Sequence, residues 1–475
     1  MDITATMKAK FDKTMTDKTF TDLLTALTAA TKNIDTHIDD NRKAYAGDHA
    51  ILHDTNRRNK EVGDTTKTRR TVKHAKEVIT LQKRIVNSAV EFLFGEPVTL
   101  TLKTEGQEEA LELITDSWHK NRLNYFNKRL SRDLFVEGKA AEVWEIPPTS
   151  ETKKEKRARV TLLTKHTGYS IYPHFDAWGD MDAFTIKYQN TNTEGKAIER
   201  VTIYTAGKRV TAVKNGPTWE KEEVENILGI IPVVYYEQGR PEWDGVDTEI
   251  DRMEYLLSNF ADTNDYFGAP VLQLKGIVSN LPKKEETGKV LNVKAETDPE
   301  GKIYYPGGAE FVTWEQGPES IEKEYTMLKD IVFGQTSTPD LSFSNVKGMT
   351  NLSGAAIRLM FSDALFKAKD KQEIFGPGLD RRISVMKAIL GVVDFSQVAA
   401  LNKTEVEIIF GDVLPTDIVA LINSLSIARM GEPIMSEKSA VEQNPLVKDP
   451  ETDLEEMEKE RAAAASAGIA GSFNV

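Results

Sequence analysis

Residues 231–276 read IPVVYYEQGRPEWDGVDTEIDRMEYLLSNFADTNDYFGAPVLQLKG. The opening run, Ile231 to Tyr236, is rich in β-branched and aromatic residues and predicts a strand. Glu242-Trp243-Asp244-Gly245 then punctuates the chain. From about Asp244 to Phe267 a helix is expected: Ile250, Met253, Leu257, Phe260 and Asn264 fall on one stripe. Asp247, Glu249, Asp251, Glu254, Asp262 and Asp265 cover much of the rest. Such a helix is roughly 35 Å long at ~1.5 Å per residue. Its narrow apolar stripe and high acid content suit packing between neighbours better than burial in a single core. Gly268-Ala269-Pro270 stops it.

Downstream, Val271-Leu272-Gln273-Leu274, Val290 to Val293, Ile303-Tyr304-Tyr305 and Phe311 to Trp314 predict a compact β insertion. Gly317-Pro318 closes it, with Pro318 at a first helical position. Ile321, Tyr325, Leu328 and Val332 then return the chain to helix, so one helix leads into the module and another leads out. Gly334 to Asn351 is a polar loop rich in Gly, Ser, Thr and Asn, longer than the ~12–15 residues beyond which loops are usually functional or disordered. Ser353 opens a long helix with Ala356, Met360, Ala364, Lys367 and Lys371 on one face. Gly376-Pro377-Gly378 is expected to kink it before Ile383, Met386 and Leu390 resume the period. Val406 to Phe410 predicts a strand. Helical stretches follow over Ile418 to Met430, Ser436 to Val441 and Thr452 to Arg461, and Ala462 to Val475 is expected to fray.

Upstream, Phe20, Leu23, Leu24 and Leu27 sit at helical spacing. A basic stretch follows (Arg57, Arg58, Lys60, Lys67, Arg69, Arg70, Lys73, Lys76, Lys83 and Arg84), opposed by Glu61, Asp64 and Glu77. It reads as a solvated loop running into a helix, or as a patch for DNA or an acidic neighbour. Val78, Leu81, Ile85, Ala89 and Phe92 predict a helix that Gly95 and Pro97 end, and Val98, Leu100 and Leu102 alternate as a strand. Leu111 to Val136 is a second helical stretch with Trp118, Leu123, Phe126, Leu130 and Leu134. Between Ala140 and Tyr236 short β runs dominate, with Pro147 to Arg157 as a hairpin tip. The class is α+β.

Composition narrows the function. At 475 residues the chain should hold about three substructures. It has no Cys, which excludes disulfides, thiolate metal sites and a cysteine nucleophile. The net charge of −13 is opposite to that of an ordinary DNA binder. Neither a secretory signal near Met1 nor a run of ~18–20 apolar residues is apparent, so a soluble protein is expected. No Gly-x4-Gly-Lys-Ser/Thr loop and no Gly-x-Ser-x-Gly elbow occur. His49 and His53 have metal-compatible spacing without an evident third ligand. Asp244, Asp247, Glu249 and Asp251 could hold a divalent ion, but acids favoured by a helix N-terminus explain them more simply. No catalytic, cofactor-binding or metal residue is therefore assigned, and no cofactor is expected.

Several stretches, in serial order, carry a resemblance: Asn87 to Pro97 (NSAVEFLFGEP), Tyr169 to Gln189 (YSIYPHFDAWGDMDAFTIKYQ), residues 231–276 above, Ser353 to Leu390 and Leu414 to Asp449. Over about Tyr45 to Arg461 the chain resembles the portal proteins, or head-to-tail connectors, of tailed double-stranded-DNA bacteriophages of the long-tailed siphophage type. The basic stretch and the Gly376-Pro377 dipeptide depart from that pattern. The resemblance implies a portal fold: an N-terminal and wing region (1–243), a stem helix (244–267), a β clip (268–317), a second stem helix (318–333), a tunnel loop (334–351), a long wing helix and strand (352–411), and a helical crown with C-terminal tail (412–475). It implies a homo-oligomeric ring, usually a dodecamer, at one vertex of the virion capsid, assembled in the host bacterial cytoplasm without a membrane. The ring would pass double-stranded DNA non-specifically during packaging and ejection. Implied partners are the terminase large subunit, the head-completion (adaptor) protein, and the major capsid and scaffolding proteins.

On that reading Thr336, Ser337, Ser342, Ser344, Asn345, Lys347, Gly348 and Asn351 form the tunnel loop against DNA. Asp247, Asp251, Glu254 and Asp262 line the stem, and Tyr304, Tyr305, Phe311 and Trp314 form the clip interface. The rivals are a metal-dependent phage DNA-processing enzyme and an acidic scaffold or adaptor protein.

Overall fold

The computed structural model describes residues 16–29, 32–57, 59–62, 70–104, 106–147, 157–191, 195–267, 271–279, 292–297, 299–301, 303–305, 307–312, 318–341, 354–414, 418–430, 433–444, 446–447 and 449–472. They belong to two units, Met1–Asp340 with Asp363–Gly411, and Leu341–Ser362 with Asp412–Val475.

The first unit opens with α1 (Asp17–Leu27), capped by the Thr16 hydroxyl accepting from the Thr19 amide. Helices α2 (Lys32–Ala46) and α3 (Ala50–His53) follow, then the antiparallel pair β1 (Lys60–Val62) and β2 (Arg70–Val72). Residues 73–80 belong to no helix or strand, although Val78 fits the helical period; the helix α4 starts at Leu81 and runs to Phe94. Beyond β3 (Thr99–Leu102), the stretch read as one helix is two, α5 (Glu108–Lys120) and α6 (Leu123–Glu137). They separate at Arg122, whose φ of 54° is left-handed and cannot continue an α-helix.

Strand β4 (Lys139–Glu145) lies between β5 (Arg159–Leu163) and β11 (Val233–Glu237) in an antiparallel three-stranded sheet. It is buried on both faces from Lys139 to Trp144, which is why its hydrophobicity does not alternate. Strands β6 (Tyr169–Phe175), β7 (Met181–Thr191), β8 (Ala197–Tyr204), β9 (Lys208–Asn215) and β10 (Thr218–Glu225) form an antiparallel meander. Phe20, Leu23, Leu24 and Leu27 of α1 pack on its Ala183, Val201, Ile203 and Ala212. The charged row Glu220, Glu222, Glu223 and Glu225 blunts its edge strand.

After β11 come α7 (Asp247–Phe267), strands β12 (Val271–Lys275), β13 (Ile277–Ser279), β14 (Asn292–Lys294), β15 (Glu296–Thr297), β16 (Ile303–Tyr305) and β17 (Gly308–Val312), and then α8 (Pro318–Gln335). Beyond α9 (Gly354–Met360), the long helix α10 (Ser362–Val393) runs with Pro377 inside it. Phe375 and Leu379 are fully buried on either side of that proline, and their burial offsets the missing backbone hydrogen bond. Helix α11 (Val398–Lys403) leads to β18 (Val406–Ile409), which pairs with β3 some three hundred residues earlier.

The main core joins α4, α5, α6, β4, α8 and α10 through Ile85, Val90, Ile114, Leu130, Leu134, Trp144, Phe333, Phe375 and Met386. At its centre Arg382 and Glu142 are both 0% exposed. The guanidinium makes two parallel contacts with the carboxylate (Nε–Oε1 2.8 Å and Nη2–Oε2 2.7 Å) and donates to Asn127 Oδ1 at 2.6 Å. It also lies 5.4 Å from the Trp118 ring and 5.6 Å from that of Phe126. The pair fixes the rotation of α10 against β4.

In the second unit, α12 (Ile418–Arg429), α13 (Glu437–Glu442) and α14 (Pro450–Ser472) form a small helical group. Ser436 caps α13 by accepting from the Ser439 amide at 3.1 Å, and Glu437 ties Arg429 of α12 to Arg461 of α14. Among the described residues no helix is long and apolar enough to cross a membrane.

Candidate functional site

The helix pair α7 and α8 with its β insertion is where the expected channel residues fall. Of the four acids assigned to the lining, Glu254 is buried and Asp262 is tied to the strap. Glu254 is 0% exposed: its Oε1 accepts the Ile79 amide at 2.9 Å and meets His49 Nδ1. Asp262 accepts from the Ala75 amide (2.7 Å) and Arg57 Nη1 (2.8 Å) and lies 3.3 Å from His74 Nδ1. Burial alone would raise the Asp262 pKa, but the Ala75 amide, His74 and Arg57 together hold it below the ordinary value. Between the two acids, Ser258 Oγ accepts the Glu77 amide at 2.9 Å.

Residues 254, 258 and 262 therefore form a ladder of acceptors on successive turns, and the strap 73–80 docks on it through alternate amides. The spacings match, since four helical residues rise ~6.0 Å and two extended residues ~6.6 Å. This corrects the reading of Glu254 as lining; Asp262, its side chain 27% exposed, is engaged by the strap, and Arg57 of the basic stretch turns inward. The signal in the sequence was a polar stripe at every fourth residue beside the apolar one. A sequence pattern cannot distinguish such a stripe from a solvated face.

Asp247 and Asp251 are exposed on α7. Partial loss of solvent, then repulsion from Asp251 and Asp244, raises the Asp247 pKa; Asp251 is raised by the same loss of solvent and by Glu254. Helix α8 adds exposed Glu319, Glu322 and Asp330, with Met327 61% and Ile331 37% exposed on the same helix. Arg252 of α7 reaches Glu324 of α8 with Nε at 2.8 Å and Nη2 at 2.7 Å.

The start of the expected tunnel loop is anchored. Thr336 is buried, donating its hydroxyl to the Val332 carbonyl at 2.7 Å and lending its own carbonyl to Lys367 Nζ at 2.6 Å. It belongs to the C-terminal turn of α8, not to a loop free to touch DNA. Ser337 takes a left-handed φ of 47° and donates its amide to the Gly334 carbonyl. Asp340 is held by Arg84 and Lys329, each at 2.9 Å, and the Arg84 guanidinium lies 4.7 Å from the Phe333 ring. Ser342, Ser344, Asn345, Lys347, Gly348 and Asn351 lie outside the described residues.

In the insertion β12 pairs with β17, β13 with β14 and β15 with β16, all antiparallel. Gly276 and Gly307 are required where these pairs cross. Their φ values are +117° and +69°, and an added Cβ would lie 2.4 Å from the Lys294 carbonyl oxygen and 2.9 Å from the Ala295 amide, respectively. Tyr304 and Tyr305 lie on β16 and Phe311 on β17, but their side chains, like all of Trp314, fall outside the described residues.

A second polar anchor was not anticipated. Glu242, with 2% of its side chain exposed, sits between Lys367 and Lys371 of α10, both at 2.8 Å. Although burial works against it, the two ammonium groups hold its carboxyl below the usual range. A carboxylate with a depressed folded pKa stabilises above its unfolded value, near 4.3, and that contribution is lost as pH falls through the folded pKa. Glu242→Gln should therefore lower stability by about 3 kcal/mol at neutral pH and flatten the acid limb of a pH titration of unfolding followed by circular dichroism.

His49 and His53 do not converge, since His53 pairs with Asp48 at 2.5 Å. Among the described residues no group of three or more potential ligands could hold a metal ion.

The sequence model of the family described as "Phage portal protein, SPP1 Gp6-like" matches residues 26–467, and the chain belongs to that family. It is a structural component of a bacteriophage virion and not an enzyme. Among solved structures, a chain from "Virion of native gene transfer agent (GTA) particle" is 11% identical, with 75% of this chain and 87% of that chain covered and a TM-score of 0.38. One from "Neck of native GTA particle computed with C12 symmetry" is 10% identical, with 76% and 89% covered and a TM-score of 0.38. At these scores neither carries an argument. The comparison with curated proteins finds no match.

Proposed function

We propose that copies of this chain close into a ring, usually of twelve, that forms the DNA channel at one capsid vertex and the platform on which the packaging motor and head-completion proteins dock. Membership of the portal family across residues 26–467 is the observation that carries this reading. The order helix, small β insertion, helix supports it, with α7 and α8 as stem, β12–β17 as clip, the segment after Asp340 as tunnel loop and the helices from Ile418 as crown. Assembly takes place in the host cytoplasm, and double-stranded DNA passes without being read.

Asp247 and Asp251, joined by Glu319, Glu322 and Asp330, supply the negative wall. A single sign of charge repeated around the ring keeps the polyanion hydrated and off the surface, so it slides rather than binds. Met327 and Ile331 supply apolar area for a neighbouring stem. Light scattering after size exclusion, with negative-stain microscopy, should show a particle of several hundred kilodaltons with a central opening. Compact particles without an opening at any concentration would overturn the reading. Asp247→Lys/Asp251→Lys rings should package DNA several-fold more slowly, because each reversal places cations against phosphate; an unchanged packaging rate would remove these acids from the channel.

A further inference from the structure

The N-terminal arm, α2 and α3, meets the middle of α7 through His49 and Glu254. His49 is 5% exposed and Glu254 0%. His49 Nε2 lies 2.8 Å from the Ala44 carbonyl, which can only accept, so Nε2 carries a hydrogen. Its other nitrogen, Nδ1, meets Glu254 Oε1, which already accepts the Ile79 amide. If neither Nδ1 nor the carboxylate held a proton, two lone pairs would face each other in a site sealed from water. The pair therefore holds one proton more than a neutral imidazole beside a carboxylate, and Glu254 Oε2 is buried with no hydrogen-bond partner to disperse its charge.

We propose that His49 and Glu254 form a proton-held latch that fastens the arm and the near end of the 73–80 strap to α7, and that releases when the shared proton is lost. The charged groups that face His49 are Glu254 and Asp251, both on α7 and both negative. From α2 and from the strap it is met by backbone, the Ala44 carbonyl directly and the Ile79 amide through Glu254. Asp48, its chain neighbour, is engaged by His53. The remaining strap contacts are Glu77 to Ser258 and Ala75 to Asp262, and Asp262 is also held by Arg57 and His74, so loss of the proton at His49 frees one end while the other stays docked.

The direction follows from linkage. The Glu254 contact, helped by the Ala44 carbonyl and Asp251 and opposed by burial, raises the His49 pKa above its ordinary 6.5. A raised folded pKa means that the stabilisation is complete below the unfolded value and is lost as pH rises through the folded one. The latch therefore opens on the alkaline side.

Hydrogen exchange of the full-length protein, read by mass spectrometry and corrected for intrinsic rates, tests this at about pH 6 and about pH 9. Protection of the Ile79 amide and of peptides across 44–54 should fall about tenfold or more, one pKa unit being a factor of ten. Protection across 123–137 should not change. In Glu254→Gln a single amide atom, oxygen or nitrogen, takes the Oε1 position that meets both Nδ1 and the Ile79 amide, so only one of the two contacts survives and no charge holds the proton; its protection should be low and the same at both pH values. Wild-type protection that does not change with pH, or a Glu254→Gln protein that retains the wild-type dependence, would overturn the latch while leaving the ring assembly untouched.

Discussion

Glu142→Ala is expected to lower the stability of the first unit by about 4 kcal/mol, since it leaves the Arg382 guanidinium charged and fully desolvated. No water reaches the site to replace the carboxylate, because Arg382 and Glu142 are both 0% exposed. Asn127 and the faces of Trp118 and Phe126 remain, but none of them carries a negative charge. Arg382→Met should cost a similar amount for the mirror-image reason. The double variant Glu142→Leu/Arg382→Met removes both charges and should be more stable than either single variant, because the desolvation of each ion disappears with the pair. Urea midpoints for the wild type, Glu142→Leu, Arg382→Met and the double variant measure this cycle. Single variants within about 1 kcal/mol of wild type would mean that α10 is held by its apolar stripe alone.

The second large effect is a contrast between two glycines of one helix. Gly to Ala in an exposed helix interior ordinarily stabilises by up to about 1 kcal/mol. Gly376→Ala should be close to neutral: no group beyond its own turn of helix lies within 4 Å of the added methyl, but Pro377 next to it opposes a helical residue with a Cβ. Gly378→Ala, two residues on, should destabilise by about 3 kcal/mol, because its Cβ would lie 2.1 Å from Tyr236 Cε1 and 2.8 Å from Cζ. The tyrosine has little room to retreat: it is 1% exposed, and its ring centroid is 5.3 Å from that of Phe375. The thermal midpoint of Gly378→Ala should fall well below that of Gly376→Ala. The losses from Gly378→Ala and Tyr236→Ala should be clearly less than additive in the double variant, because the second removes the ring that the first strikes; full additivity would place the strain elsewhere.

Much of the architecture was legible because backbone and apolar signals are local. The period of Ile250, Met253 and Leu257, the Gly268-Ala269-Pro270 stop and Pro318 at a helix start all act within a few residues, and they define a helix, an insertion and a helix in that order. The α4 start was placed too early because Val78 fits the helical period while its segment is recruited as a strap. The α5–α6 break was missed because only a left-handed Arg122, not a glycine, marks it.

The polar side chains behaved differently. Glu254 and Asp262 looked like a solvated acidic face, and Thr336 looked like loop. Their partners, His49, Arg57, the strap amides and Lys367, come from other parts of the chain, and the Arg382 contact with Glu142 spans 240 residues.

The amino-acid order by itself therefore determined the α+β class, the helix-insertion-helix sequence and the family resemblance, since these rest on short-range sterics, capping and apolar periodicity. Only the tertiary structure decided which acids face solvent and which are sealed against a cation or an amide. A charge buried without a partner is intolerable, and one buried with a partner is stable. Which of these obtains depends on what packs opposite, and that is set by the fold and not by neighbours in sequence.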